Sequence, residues 1–541
     1  MGNEQLGIAI NSENFPDEVF REYIKTNFDI DKDGFLSENE ICSVVEISLS
    51  EKDVKDLTGI GYFSYLKNLY CCNTKVKELD VSKNVSLEHL NCVNTEIKEL
   101  DVKNNFVLKA LHCDDTEIEE LDVSKNPALV TLICRNTKIR KLDISGNSAL
   151  LFLDCDGTKI EELNTSKNSA LFILKCSRTR IRELDVSKNP ALQIFGCYST
   201  KIRKLDVSKN SYLRGLNCDG TNISELDVSK NSDLEVLRCR NTNISKLDVS
   251  KNSALRRLYC GKTKIVELDV SENFGLTELE CSDTKIKELD VSKNSKLEQL
   301  CCFKTEIEEL NINENFCLEW LYCNNTKIQK LDVSKNLNLE RLWCLNTRIR
   351  ELDVSKNPNL EKLCCDNTKI QELDISQNSC LTNLSCSNTE VEKLGVSKNS
   401  NLIELVCYNT KIQKLDISKN VALKILGCYE TDIEELDVRN NPYLELLTCY
   451  TTKIKELDIS NNSALVKLSC RDTEIKELDV SNNSALELLY CSNTEIEELD
   501  ICNNYALKDL KCDNTKIQKL DVSKNPHLTN LECDETVVVI K

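Results

Sequence analysis

Methionine, tryptophan, histidine and long apolar runs are what this chain is poorest in. Only three histidines and two tryptophans stand among its 541 residues. No HExxH, GxSxG, GxGxxG or P-loop pattern is present, which removes the local signatures of zinc hydrolases, serine hydrolases and nucleotide-binding folds. No stretch of 18 apolar residues occurs, so no helix is expected to cross a bilayer. The start, MGNEQLGIAI, lacks the basic and apolar parts of a secretion signal, and Leu6 stands where an acylation pattern after Met-Gly needs Ser or Thr. Positive charge is also short. With 70 Lys and Arg against 89 Asp and Glu the net charge is −19 and the pI about 5.0, which argues against a nucleic-acid surface or an anionic membrane surface as partner.

What is there is one segment, over and over. Leu486 to Ala506, LELLYCSNTEIEELDICNNYA, recurs as 23 copies with no insertion or deletion, their cysteines running from Cys71 to Cys533 every 21 residues. With that cysteine as zero, the unit has Leu at −5, mostly Leu at −2, Thr at +3, Ile or Val at +5, Leu at +8 and Asn at +13. Apolar residues two apart, Leu489 with Cys491 and Leu499 with Ile501, read as two short strands per copy. A fixed period of this length marks a solenoid, in which each unit buries its apolar side only against its neighbours. The expectation is one long column of core.

Written as LxxLxCxxTxIxxLDVSxNxx, the unit resembles the leucine-rich repeat, in particular the bacterial 21-residue class called IRREKO, over residues 66–541. The resemblance implies a β-rich solenoid, a superhelix of about 23 regular coils with a parallel sheet on its concave face. The departure is Thr at +3 (Thr74, Thr95, through Thr536) where that class usually carries Asn. In the family this side chain bonds turn backbone groups of the stacked coils, and a hydroxyl both donates and accepts. The Asn column survives at +13, from Asn84 to Asn525.

Thirty cysteines suggest disulfides in a short secreted chain, but 23 of these sit at position 0, facing the column. Parallel side chains one strand apart hold their Cβ atoms about 4.8 Å apart, against the roughly 3.8 Å of a disulfide. Free buried thiols are expected. The remaining seven, among them Cys42, Cys317 and Cys380, fit no zinc spacing.

The amino-terminal part differs. Phe15 to Asn27 places Val19, Phe20, Tyr23 and Ile24 on one helical face. It leads into DIDKDGFLSENE, Asp29 to Glu40, which matches the EF-hand loop at every position. Calcium prefers six to eight oxygens, here from Asp29, Asp31, Asp33, the Phe35 carbonyl, Ser37 directly or through water, and both oxygens of Glu40, with Gly34 making the turn. A lone loop of this type resembles the calcium-bearing caps before repeats in secreted proteins of anaerobic bacteria. One structural calcium ion is therefore expected, closing the open end of the column. Residues 44–65 look like a degraded capping coil, with Ile47 and Leu49 on the strand and Val54 and Leu57 on the return. The expected division is a helical cap, 1–43, a degenerate capping repeat, 44–65, and the solenoid, 66–541. ETVVVIK at the other end stops in mid-coil, and the natural chain is expected to continue.

Copies compared with one another point to a binding face. Position +9 is Asp in 19 of 22 copies, whereas −3, −1 and +1, which project from the first strand, take almost any residue. One segment gathers Gln299, Phe303, Trp320, Tyr322, Arg341, Trp343 and Leu345, including both tryptophans, and such side chains anchor recognition surfaces. Tyr408, Tyr429 and Tyr450 are expected to stack as a ladder. Arg238, Arg240 and Arg257 make a basic spot bounded by Glu278 and Glu280, and Asp114, Asp154, Asp156 and Asp219 an acidic one. The aromatic segment and the tyrosine ladder are the candidate ligand surface, and the charged spots would steer a charged partner or merely serve solubility, alongside the plainer reading that varied surface positions have drifted. The Asp column at +9 is a row of like charge relieved by neighbouring Lys and Ser, or else a row of cation sites. No deep pocket is expected on an open sheet, and His89, His112 and His527 form no catalytic set. The expected protein is thus non-enzymatic, a monomer at the bacterial cell surface or secreted, with a cytoplasmic location as the alternative. It would bind a protein or glycan, without nucleic-acid binding or membrane insertion. A structural or adhesive spacer, or the recognition arm of an effector, are the competing readings.

Overall fold

The computed structural model describes residues 7–541, so the residues 1–6 on which the acylation reading rests lie outside it. The chain divides into two compact units, residues 1–268 and 269–541.

The first unit opens with a small cap. Strand β1 (Ile8–Ala9) pairs antiparallel with β2 (Phe35–Leu36), which lies inside the acidic loop, so that loop finds its strand partner in the chain's own start. Helix α1 (Glu18–Asn27) is capped by Asp17, whose Oδ1 accepts the Phe20 N–H at 2.9 Å. Its buried residues are Phe20 and Ile24. Val19, expected on that face, is 38% exposed, because a helix this short turns only a narrow stripe toward its support. Helix α2 (Glu38–Ser43) starts in a capping box of Ser37 and Glu40. Phe15 packs against Phe20, Tyr62 and Phe63 at 5.7, 5.8 and 6.5 Å, and Phe28 against Phe63 at 6.0 Å, which seats the cap on the first coil. Gly59 permits the approach. Its φ is 102°, and a Cβ there would stand 2.4 Å from the Asn14 carbonyl oxygen.

Residues 44–65 form a coil of the same kind, with β3 (Glu46–Ser48) on the sheet and Ile47, Leu49, Val54 and Leu57 buried. From β3 to the strand Arg257–Tyr259, each three-residue strand pairs parallel with the next, and from Asn68↔His89 onward the shift is one repeat. The second unit repeats the pattern from Glu278–Glu280 to Asn530–Glu532. Each unit is a parallel β-solenoid of 21-residue coils. Leu at −5 and −2, Cys at 0, Ile at +5, Leu at +8 and Val or Ile at +10 fill the core, as Leu339, Leu342, Cys344, Ile349, Leu352 and Val354 do in one coil. Burying each large side chain contributes roughly 1.5–3 kcal/mol before ordering entropy is set against it.

Only the first of the two expected strands forms. On the return side one backbone bond per coil joins neighbours, as Lys369 N–H to the Ile349 carbonyl at 2.8 Å. Exceptions are the bridge Lys414↔Glu435 and the strand Lys519–Asp521, which pairs with Val538–Ile540. Alternating apolar residues there give burial without ladder pairing, because the backbone is spent on turns. At +9, Asp Oδ1 accepts the N–H two residues on, as Asp353 does from Ser355 at 2.9 Å. That is the role of the Asp column: its carboxylates are turn acceptors, held below the ordinary carboxylate value by Ser N–H and O–H donors, as at Asp80 and Asp353.

The other two polar columns are also structural. Thr at +3 is buried, and its hydroxyl donates to the carbonyl of the cysteine three residues before it, Thr347 to Cys344 at 2.7 Å. The bond stays within a coil and does not link stacked coils, since a Thr side chain is too short to reach past its own turn. Asn at +13 makes the link instead. Asn357 Nδ2 donates to the carbonyls of Val333 and Asn336 in the preceding coil at 3.0 and 2.8 Å. All thirty cysteines are free thiols, and at position 0 burial pushes them up, Cys71 to about 12.

Candidate functional site

The exposed side of the sheet is built by columns −3, −1 and +1, since −2 and 0 point into the core, and column −4 stands at the entry to each strand. In the second unit the strands Gln299–Cys301, Trp320–Tyr322, Arg341–Trp343 and Lys362–Cys364 are consecutive neighbours. Register puts Arg341 beside Trp320, with its guanidinium carbon 4.4 Å from the ring centroid, and Trp343 beside Tyr322, with ring centroids 4.9 Å apart. Trp343 is 43% exposed. Phe303 and Leu345 lie in column +1, two coils apart with Asn324 between them, so the aromatic centre is Trp320, Tyr322 and Trp343 with Arg341 laid over one ring.

Tyr408, Tyr429 and Tyr450 stack at 4.3 and 4.2 Å with nearly parallel rings, and Arg471 covers the free end at 4.5 Å from Tyr450. Both faces of Tyr429 are therefore occupied. What Tyr429 offers a partner is its ring edge and hydroxyl.

Much of the charge in two patches of the first unit is engaged within the chain. Arg240 grips Asp219 through Nε and Nη2 at 3.0 and 2.9 Å, and Arg238 and Arg240 both lie over Tyr259. The proposed acidic spot thereby loses Asp219, because the guanidinium one coil away satisfies it. Asp114, Asp154 and Asp156 are buried, with Arg135 at 3.0 Å from Asp114 and Lys175 at 3.7 Å from Asp154. Burial pushes the carboxyls of Asp154 and Asp156 up.

In the cap, carboxylate oxygens of Asp29, Asp31 and Glu40 lie within 4.8 Å of one another, and Asp29 and Glu40 are buried. Gly34, at φ 86°, makes the turn. Asp33 is directed differently, its Oδ1 accepting the Phe35 N–H at 2.8 Å. Glu40 holds the Ile30 N–H at 2.7 Å and the Ser37 N–H and O–H at 2.8 and 2.7 Å. These are hard oxygen donors around a tight turn, the kind calcium prefers, and Asp29, Asp31 and Glu40 are the carboxylates that could hold a metal ion there.

Two features escape a reading of the unit alone. Position +2 sits in the left-handed region in coil after coil, from Asn73 at φ 57° to Asn514 at 52°, and its excess of Asn, Asp and Gly was the available signal. Column −4 carries Glu in four successive coils, Glu298, Glu319, Glu340 and Glu361, beside the aromatic centre. Glu340 Oε2 accepts the Trp320 indole N–H at 3.4 Å. Their common 21-residue spacing was visible in the sequence.

No family model matches the chain, and no curated protein matches it. Solved structures do. The functional domain of InlJ from Listeria monocytogenes, described as including a cysteine ladder, matches with a TM-score of 0.64 at 32% identity, over 68% of this chain and 83% of its own. A TDR receptor matches with 0.70 at 14% identity, over 92% and 94%. The LRR ectodomain of the receptor kinase GASSHO1/SCHENGEN3 from Arabidopsis thaliana, in complex with CASPARIAN STRIP INTEGRITY FACTOR 2, matches with 0.64 at 13%, over 91% and 73%. At 13–14% identity the plant structures speak for the fold alone. The chain is a leucine-rich-repeat solenoid, and it belongs to the leucine-rich-repeat family. This chain too carries a column of cysteines, at position 0 of its coils.

Proposed function

We propose that this is a non-enzymatic recognition protein of the bacterial 21-residue repeat class, secreted or held at the cell surface, whose sheet face binds a protein. The observation that carries it is the aromatic centre of the second unit, where Trp320, Arg341, Tyr322 and Trp343 meet across two paired strands. Rigid strands hold these large side chains in place, so little entropy is lost when they are covered. The GASSHO1/SCHENGEN3 ectodomain, which shares the fold, is itself solved in complex with CASPARIAN STRIP INTEGRITY FACTOR 2. A protein partner is favoured over a glycan stacked on ring faces, because both faces of Tyr429 and Tyr450 and the inner face of Tyr408 are already taken. No helix among the described residues is long and apolar enough to cross a membrane. Once a partner is captured, Trp343→Ala is expected to weaken binding by about 2 kcal/mol, whereas Ser334→Ala on the return side changes little. Equal effects would remove the site from this face.

The same reading includes one calcium ion in the cap, held by Asp29, Asp31 and Glu40 and, once Asp33 gives up the Phe35 N–H, by Asp33 with the Phe35 carbonyl and Ser37, where it would stabilise the end of the solenoid by mass action. Its support is the convergence of Asp29, Asp31 and Glu40 around the turn at Gly34. Titration calorimetry of the full chain and of Glu40→Gln tests it. Loss of calcium uptake in the variant is expected, and equal uptake by both would refute the site.

A further inference from the structure

The structure points to a cationic partner: we infer that the acidic stripe Glu298, Glu319, Glu340 and Glu361 selects an extended, lysine- or arginine-rich protein segment for the aromatic centre beside it. This deepens the recognition reading and rests on it. The argument starts from how column −4 is treated elsewhere in the chain. Glu88 lies within ion-pair distance of Lys67 and Lys109, and Glu235 is 3.7 Å from Arg214. Glu445 is 2.8 Å from Lys424, and Glu487 is 2.7 Å from Lys508. Each of these carboxylates meets a cation placed one coil away in the same column.

At Glu298 to Glu361 that device is missing. Each of the four has another Glu as its column neighbour, and among the described residues no Lys or Arg nitrogen comes within 4.0 Å of them. Burial raises the Glu319 carboxyl, and Glu340 and Glu298 on either side raise it further. Like charges one strand apart oppose folding, so a row of four that is left unneutralised stores electrostatic energy which a cationic ligand releases. The stripe also borders the aromatic centre directly, through the bond from the Trp320 indole to Glu340.

Dimensions select the shape of the occupant. Three strand spacings make the stripe about 14 Å long, and an extended peptide projects side chains to one side about every 6.8 Å. Cations at alternate positions of one such segment therefore place three charges along four carboxylates. A second copy of this chain is a poor occupant, since its net charge is −19.

Labelled decapeptides of alternating lysine and threonine, and of alternating serine and threonine, provide the probes. Fluorescence anisotropy at low salt measures their binding to the full chain, to the variant combining Glu298→Gln, Glu319→Gln, Glu340→Gln and Glu361→Gln, and to the control pair Glu445→Gln with Glu487→Gln. The expected result is a preference for the lysine peptide of at least about tenfold that vanishes in the fourfold variant, survives in the control and fades with added salt. Because relief of like-charge repulsion accompanies the fourfold change, its Tm should hold or rise, and a fall would mark the row as structural and overturn the inference. So would persistence of the preference in the fourfold variant, or binding of neither peptide. Trp343→Ala separates the two levels. If it weakens binding while the fourfold change does not, the recognition face stands and the cationic partner falls. If only the fourfold change matters, the stripe binds cations and the recognition reading of the aromatic centre fails.

Discussion

Residues of the same polarity do different amounts of structural work here, and the hydrogen bonds say how much. Asn357 spans two coils with both amide protons, while Thr347 ties down one carbonyl of its own turn. Each such bond contributes about 1 kcal/mol, and a buried group left without its partner costs about 1–3 kcal/mol. Asn357→Ala is therefore expected to lower the unfolding free energy by at least about 2 kcal/mol, including the loss of a buried side chain, and Thr347→Val by about 1 kcal/mol. Denaturant titration at constant m-value reads both. An Asn column no costlier to remove than the Thr column would mean that it is not what staples the coils.

The elements carry their own constraints. The turn at +2 is left-handed whatever residue occupies it, so a β-branched side chain there is under strain, and Thr451 sits at φ 53°. Thr451→Asn is expected to raise stability by about 1 kcal/mol, because Asn tolerates this conformation. Asn also suits the place, as Asn409 Nδ2 donating to Asn388 Oδ1 at 2.7 Å shows two coils earlier. A loss of stability on that change would show the backbone of this turn to be unstrained. The docking of the cap is limited in the same way by Gly59, where only a hydrogen fits between the turn and the Asn14 carbonyl.

Over the whole molecule the Asp column dominates the response to acid. Asp80, Asp185, Asp353 and Asp479, among others, are held below the ordinary carboxylate value by donors from the residue two on, a serine in each of these coils. The folded value lies below the unfolded one, so their contribution is fully present above the unfolded value, near pH 4, and is lost as pH falls through the folded values. Asp154, Asp156 and Glu319 act in the opposite sense, since burial raises them and protonation relieves them, but they are three against a column. The midpoint of thermal unfolding, followed by circular dichroism, is expected to fall steeply below about pH 4. Replacing several successive Asp of the column by Asn should flatten that fall, and an unchanged profile would assign acid sensitivity elsewhere.

The repeat, its core positions and the order of its columns were legible in the sequence, because burial in a solenoid recurs with the period of the coil and each apolar position meets its own equivalent next door. Leu486, Leu489 and Cys491 could be placed in the core without knowing anything about a distant residue. Tyr429 could be placed between Tyr408 and Tyr450 for the same reason. What the tertiary structure decided depends on contacts that the period does not encode. Alternation at Leu499 and Ile501 predicts burial, yet whether the backbone pairs as a strand depends on where its N–H groups are already used, and the Asp turns use them. The column neighbour of a glutamate at −4, a lysine for Glu445 and another glutamate for Glu340, is read from the period, but the contact made is not: Lys424 closes to 2.8 Å on Glu445, whereas Glu340 accepts the Trp320 indole N–H. That distinction between Glu445 and Glu340 is the difference between a staple and a candidate binding surface, because the energy of a charge is set by what stands within a few ångströms of it.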